Sequence, residues 1–135
     1  MSHERAIAFI PVGASSAAGD VSPHKELEAR ASHALHKIAT DIQYDHLDGF
    51  WMLGKQKKRD AFYWIKAWWA ADTEPVFAGE AGWKQTQEAD AKFLAVHVYG
   101  GISDQCHKML AQFVEYVEHY GEDPAESVGL TSAGG

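Results

Sequence analysis

Apolar and polar positions alternate along this chain in two rhythms. Residues 5–12 form a short apolar run that predicts a strand, and residues 13–20, rich in Gly, Ser and Ala, predict a loop. Ser22 followed by Pro23 has the form of a helix start, with Ser as N-cap and Pro at the first helical position. From there Leu27, Ala31, Ala34, Leu35, Ile38 and Ile42 recur every three or four residues, which predicts an amphipathic helix to about residue 43. Residues 45–49 carry turn chemistry. Phe50, Trp51, Met52 and Leu53 then predict a strand, and residues 55–60 a charged turn.

Residues 61–71 predict a longer strand, because aromatic side chains and Ile favour a pleated surface. The two strands read as a hairpin, and residues 75–78 as a third strand. Thr86 opens a predicted helix through Tyr99, whose Phe93, Leu94, Val96 and Val98 leave little polar face; Gly100 and Gly101 break it. Ser103 caps a last long helix, in which Cys106, Met109, Leu110, Phe113, Val117 and Tyr120 keep helical spacing until Gly121. Asp123-Pro124-Ala125-Glu126 has the form of a capping box that opens a final short turn, and residues 131–135 read as a frayed tail. The order predicts an α+β fold, a small antiparallel sheet with helices packed on one face. It forms a single domain over residues 1–135, of which the first 21 are strand and loop.

Composition narrows the function. With 135 residues, 46% apolar and 23% charged, the chain is long enough for one domain with a real core. Five Trp, five Tyr and six Phe make that core aromatic. A net charge of −7 lacks the electrostatic footprint of a phosphate-binding protein and argues against direct nucleic-acid binding. One cysteine excludes an internal disulfide and a cysteine-built zinc site. Glu4 and Pro11 interrupt what would otherwise imitate a signal peptide, and no stretch approaches the roughly 20 apolar residues that span a bilayer. The expectation is a cytoplasmic protein with no membrane partner.

Candidate chemistry is sparse. Gly49-Phe50-Trp51-Met52-Leu53-Gly54-Lys55 fits the first part of a phosphate-binding loop, but Gln56 stands where Ser or Thr should hold magnesium. The bulky residues between the glycines also leave no room for a cradle of backbone N–H groups. Of the eight histidines, His33 and His36 lie three apart on one predicted helix, while His97, His107 and His119 are scattered. Zinc needs three or four converging ligands, so scattered surface histidines plus a core His97 are the better reading. Cys106 lies in the first turn of its helix, where the dipole lowers a thiol pKa, but it shares the apolar phase of Met109, Leu110 and Phe113. His107 cannot serve it as a base, because adjacent helical residues point apart. Turn capping accounts for Asp45 and Asp48. No catalytic residue, metal ligand or cofactor is assigned.

Three surface features suit a protein partner. Lys55, Lys57, Lys58 and Arg59 form a basic turn. Asp104, Glu115, Glu118, Glu122, Asp123 and Glu126 stand against the single Lys108, which makes an acidic face near the C-terminus suited to a basic partner. Charge reversal at Glu115 and Glu118 tests that face. In the group Trp64, Trp68, Trp69, the last two point to opposite sides of a strand, which predicts that one of them is exposed as an interface anchor.

A predicted helix runs into Tyr44-Asp45-His46-Leu47-Asp48-Gly49-Phe50-Trp51, followed by the aromatic strand Ala61-Phe62-Tyr63-Trp64. Glu88-Ala89-Asp90-Ala91 and Tyr99-Gly100-Gly101-Ile102-Ser103 come next. Phe113-Val114-Glu115-Tyr116-Val117 then leads into Glu118-His119-Tyr120-Gly121-Glu122-Asp123-Pro124-Ala125-Glu126. In this order and in these residue types the chain resembles, over residues 35–128, the ArdB/KlcA-type antirestriction proteins of plasmids and other mobile elements. The resemblance implies a non-enzymatic anti-defence protein that acts on a host defence complex, classically type I restriction. It supplies no catalytic residues. An inhibitor of another bacterial immune system, such as a CRISPR complex, and a small histidine-using metal-binding protein or enzyme stand as alternatives.

Overall fold

The computed structural model describes residues 6–13, 22–43, 45–47, 50–58, 60–74 and 85–119. In chain order the elements are β1 (Ala6–Pro11), α1 (Pro23–Ile38), β2 (Asp45–Leu47), β3 (Phe50–Lys58) and β4 (Ala61–Ala70). A 3₁₀ turn (Glu88–Asp90), β5 (Phe93–Gly100) and α2 (Ser103–Glu118) follow. The strands form one antiparallel sheet in the order β1-β5-β4-β3-β2, so β2 to β5 run as a meander and β1 joins its far side. The fold is α+β, as the sequence predicts.

Both helices bury their apolar stripes against the same side of the sheet. Leu27, Ala31, Ala34, Leu35 and Ile38 of α1 share one core with Cys106, Met109, Leu110, Phe113 and Val117 of α2. From the sheet, Tyr63, Ile65, Ala67 and Trp69 of β4 and Leu94, Val96 and Val98 of β5 complete it. Each large side chain fully buried here contributes on the order of 1.5–3 kcal/mol. Arg30 ties the helices together: it donates from Nη1 to the Val117 carbonyl in the last turn of α2 at 3.1 Å and pairs with Glu26 at 3.2 Å. Lys25 bridges Glu28 at 3.4 Å and Glu88 at 3.7 Å, and these carboxylates raise its ammonium above the ordinary 10.5.

Five predicted elements need correction. The turn expected over residues 45–49 begins as strand, because Asp45–Leu47 form β2 and pair with Phe50–Met52 of β3. The helix expected over residues 86–99 is a loop with a 3₁₀ turn (Glu88–Asp90) followed by the central strand β5. Its side chains alternate, with Leu94, Val96 and Val98 facing the helices and Phe93, Ala95, His97 and Tyr99 facing away. The helices bury Leu94, Val96 and Val98 on one face, and Trp68 and Phe9 pack on Ala95 and Phe93 on the other, so most of the segment is apolar on both faces and that hides the period. The charged turn expected over 55–60 is mostly strand, since β3 runs on to Lys58 and pairs Lys58 with Ala61. Helix α1 stops at Ile38 rather than near residue 43, because the backbone of Asp41 pairs with Lys55 at 2.9 and 3.1 Å and draws the chain onto the sheet. Ser103 is the first residue of α2, not its cap; Ile102 holds the cap position and supplies no side-chain bond. The predicted strand at 75–78 and the turn at 123–126 lie outside the described residues.

A register shift decides which side of the sheet the basic residues occupy. Between Met52 and Gly54 the pairing of β3 with β4 slips by a residue, a β-bulge, and Leu53 is fully buried in the helix-side core. A Cβ on Gly54 would meet Leu35 at 3.2 Å and Ala39 at 3.3 Å, so Gly54 also faces α1. With two successive residues turned inward, Lys55 and Lys57 emerge on the opposite side of the sheet.

Candidate binding surface

The face of the sheet turned away from α1 and α2, which carries no helix among the described residues, is built by strand alternation. Across it, Lys57 pairs with Phe62, and Lys55 with Trp64, which in turn pairs with Tyr99. Lys66 stands opposite His97, and His97 opposite Ile7 of β1. Further along, Trp68 pairs with Ala95, which pairs with Phe9.

The two ends of this face differ. At the Trp68 end it is dry: Trp68 is 1% exposed and clusters with Ala70 and Ala95, against which Phe9 and Phe93 pack. The rings of Phe9 and Phe93 meet edge to face at 6.3 Å. At the hairpin end the face opens, with Phe62 45% and Trp64 37% exposed. Four rings form a continuous row there. Phe62 lies 6.2 Å from Trp64, Trp64 stacks on Tyr99 at 5.7 Å, and Tyr99 stacks on His97 at 5.0 Å.

Lysines border the row. Lys55 Nζ lies 5.6 Å from the centre of the Phe62 ring and Lys66 Nζ 5.5 Å from that of Tyr99. Lys57 stands opposite Phe62 in the register and is exposed. Asp41, at the edge of this face, pairs with Lys55 at 3.4 Å. Both partners are partly open to water, so that pair adds little stability and parts readily.

The structure redistributes the expected contact residues. Lys55 and Lys57 lie on the helix-free face, whereas Lys58 pairs with Ala61 and turns to the other side; Arg59 lies outside the described residues. The expectation that Trp68 or Trp69 is exposed is overturned. Their side chains do point to opposite faces, but both are buried. Trp69 sits under α1, where His24 meets its ring at 5.5 Å, and Trp68 belongs to the second cluster. Trp64 is the exposed member of the three. Glu115 and Glu118 are exposed on α2, away from the sheet, and Glu122 lies outside the described residues.

Sequence reading missed Phe62, Lys66 and Tyr99, and it expected His97 in the core, whereas His97 is half-buried on this face beside Tyr99. The alternation of Phe62, Trp64 and Lys66 with Tyr63, Ile65 and Ala67 is visible in the chain and marks one face of β4. His97 and Tyr99 became visible only once β5 proved to be a strand.

Other chemistry-bearing groups do not converge. Among the described residues, no three of His, Cys, Asp and Glu come together as a metal site. His24 is within 2.9 Å of the Ala91 carbonyl and His36 within 2.8 Å of the Ser32 carbonyl, bonds that position the rings structurally. No helix in the described residues is long and apolar enough to cross a membrane. No protein-family model matches the chain, nor does any curated protein or solved structure.

Proposed function

We propose that this chain is a non-enzymatic anti-defence protein of a mobile element, which acts by binding a host defence complex rather than by catalysis. The resemblance to ArdB/KlcA-type antirestriction proteins, over residues 35–128, supports the anti-defence role. The observation that supports a binding role is the open end of the helix-free sheet face. Solvent-exposed Phe62 and Trp64 continue there into Tyr99 and His97, beside Lys55, Lys57 and Lys66. Exposed aromatic side chains held on a rigid sheet are the residues that dominate binding energetics when a partner covers them. Catalysis would call instead for a nucleophile and base, or a ligand set, in mutual reach.

The test is plasmid or phage transfer into isogenic hosts with and without one defence system, while the chain is expressed. Protection confined to hosts with type I restriction is the expected result, and it should be lost in the double variant Phe62→Ala, Trp64→Ala. Protection confined to hosts carrying a CRISPR system would keep the anti-defence role and move the target. If transfer stays at the control level in every host, the anti-defence reading fails.

A further inference from the structure

We infer that the open end of the helix-free face binds single-stranded nucleic acid, with bases on the exposed rings of Phe62 and Trp64, which Tyr99 backs by stacking on Trp64, and phosphates on Lys55, Lys57 and Lys66. The inference rests on the reading of this face as the working surface and names what that surface takes. A nucleotide joins a flat π-system to an anion, and the face presents the complementary pair. Lys57 stands opposite Phe62, Lys55 Nζ lies 5.6 Å from the centre of the Phe62 ring, and Lys66 Nζ lies 5.5 Å from that of Tyr99. Single-strand-binding surfaces combine aromatic stacking with a cationic track in this way. A duplex would not serve, because its base faces are already stacked and out of reach of side chains. A protein partner would also use the rings, but the cores of protein interfaces are depleted of lysine, and here lysines are interleaved with the rings.

The net charge of −7 does not oppose this locally. Glu115 and Glu118 lie on the helix layer, beyond the sheet. Both are exposed to solvent, where salt with a Debye length of about 8 Å screens them from a strand bound on the far face. Charge averaged over the whole chain therefore misses what one face presents.

The experiment uses the full chain and measures fluorescence anisotropy with labelled dT12, U12 and a 12-base-pair duplex. Both single strands are expected to bind more tightly than the duplex. With three phosphate contacts, log K should fall against log salt with a slope of about −2, and replacing Lys57 and Lys66 together by Ala should bring it to about −0.7. Trp64→Ala should weaken binding about tenfold or more, as loss of one base–aromatic stack does. Trp64, Lys57 and Lys66 are not core residues, and far-UV circular dichroism checks that each variant keeps its fold. Binding to the duplex as tight as to single strands, or single-strand binding indifferent to Trp64→Ala, would overturn the inference. No oligonucleotide binding at all would also overturn it. If host protection nonetheless disappears in the Phe62→Ala, Trp64→Ala variant, the face serves a protein, and only the inference fails. Oligonucleotide binding that follows the expected pattern, without protection in any host, upholds the inference and removes the anti-defence reading.

Discussion

Cys106 lies one turn into α2, and Met109, Leu110 and Phe113 share its burial. The sequence placed it on the apolar phase of the helix, and burial outweighs any help the helix dipole gives a thiolate. The thiol is pushed above its ordinary value of 9.0 by desolvation. Because the unfolded chain loses this proton at lower pH than the folded one, the folded state holds an advantage below pH 9 that disappears as pH rises through the folded value. Melting temperature should therefore fall more steeply above pH 9 in the native chain than in Cys106→Ala. Thiol reagents at neutral pH should label Cys106 no faster than the protein unfolds. Rapid labelling of the folded protein, at the rate of a free thiol, would show instead an accessible and reactive cysteine.

At the scale of elements, legibility followed how many faces a segment has to satisfy. Helix α1 and most of α2 have one face in the core and one in water, so their period shows in the chain. Strand β5 is central and apolar on both sides. A continuous apolar run carries no period, and Thr86 and the glycines at its ends suit a helix as well as a strand. The glycines have another cause. Gly100 has φ of +153°, and a Cβ there would lie 2.3 Å from the Phe62 carbonyl oxygen and 2.8 Å from the Tyr63 Cα. A Cβ on Gly101 would come within 2.6 Å of the Ala61 Cβ. The end of β5 thus passes against the start of β4, where a side chain has no space. Gly100→Ala should cost about 2–3 kcal/mol in denaturant unfolding, from backbone strain and overpacking together. Because the clash falls on Phe62 and Tyr63, the same variant should also disturb the ring row. A change within experimental error would mean that β4 and β5 separate freely at this end.

Over the whole molecule, the exposed carboxylates of the last turns of α2 and the lysines of the ring row lie on opposite sides. The helix layer presents Glu115 and Glu118 to solvent, while the sheet presents Lys55, Lys57 and Lys66 among aromatic rings on its opposite side. Composition cannot reveal this division, since it depends on the bulge in β3 that turns Lys55 and Lys57 outward and on β5 being a strand. Sequence reading therefore names Glu115, Glu118 and part of the basic segment, but not the surface to which that segment belongs. The two surfaces point apart, so their contributions can be separated. The pair Glu115→Lys, Glu118→Lys reverses the helix face without touching the sheet, and Lys57→Glu, Lys66→Glu does the opposite. All four residues lie outside the core, where substitutions usually change stability by about 0.5 kcal/mol or less, so both variants should fold. In the transfer assay the sheet variant should lose protection, while the helix variant should stay within about twofold of the native chain. Loss in the helix variant alone would assign the partner to the acidic face of α2 and leave the ring row without a role in defence. Loss in both would mean that the partner wraps around the edge of the sheet, against the single-surface reading.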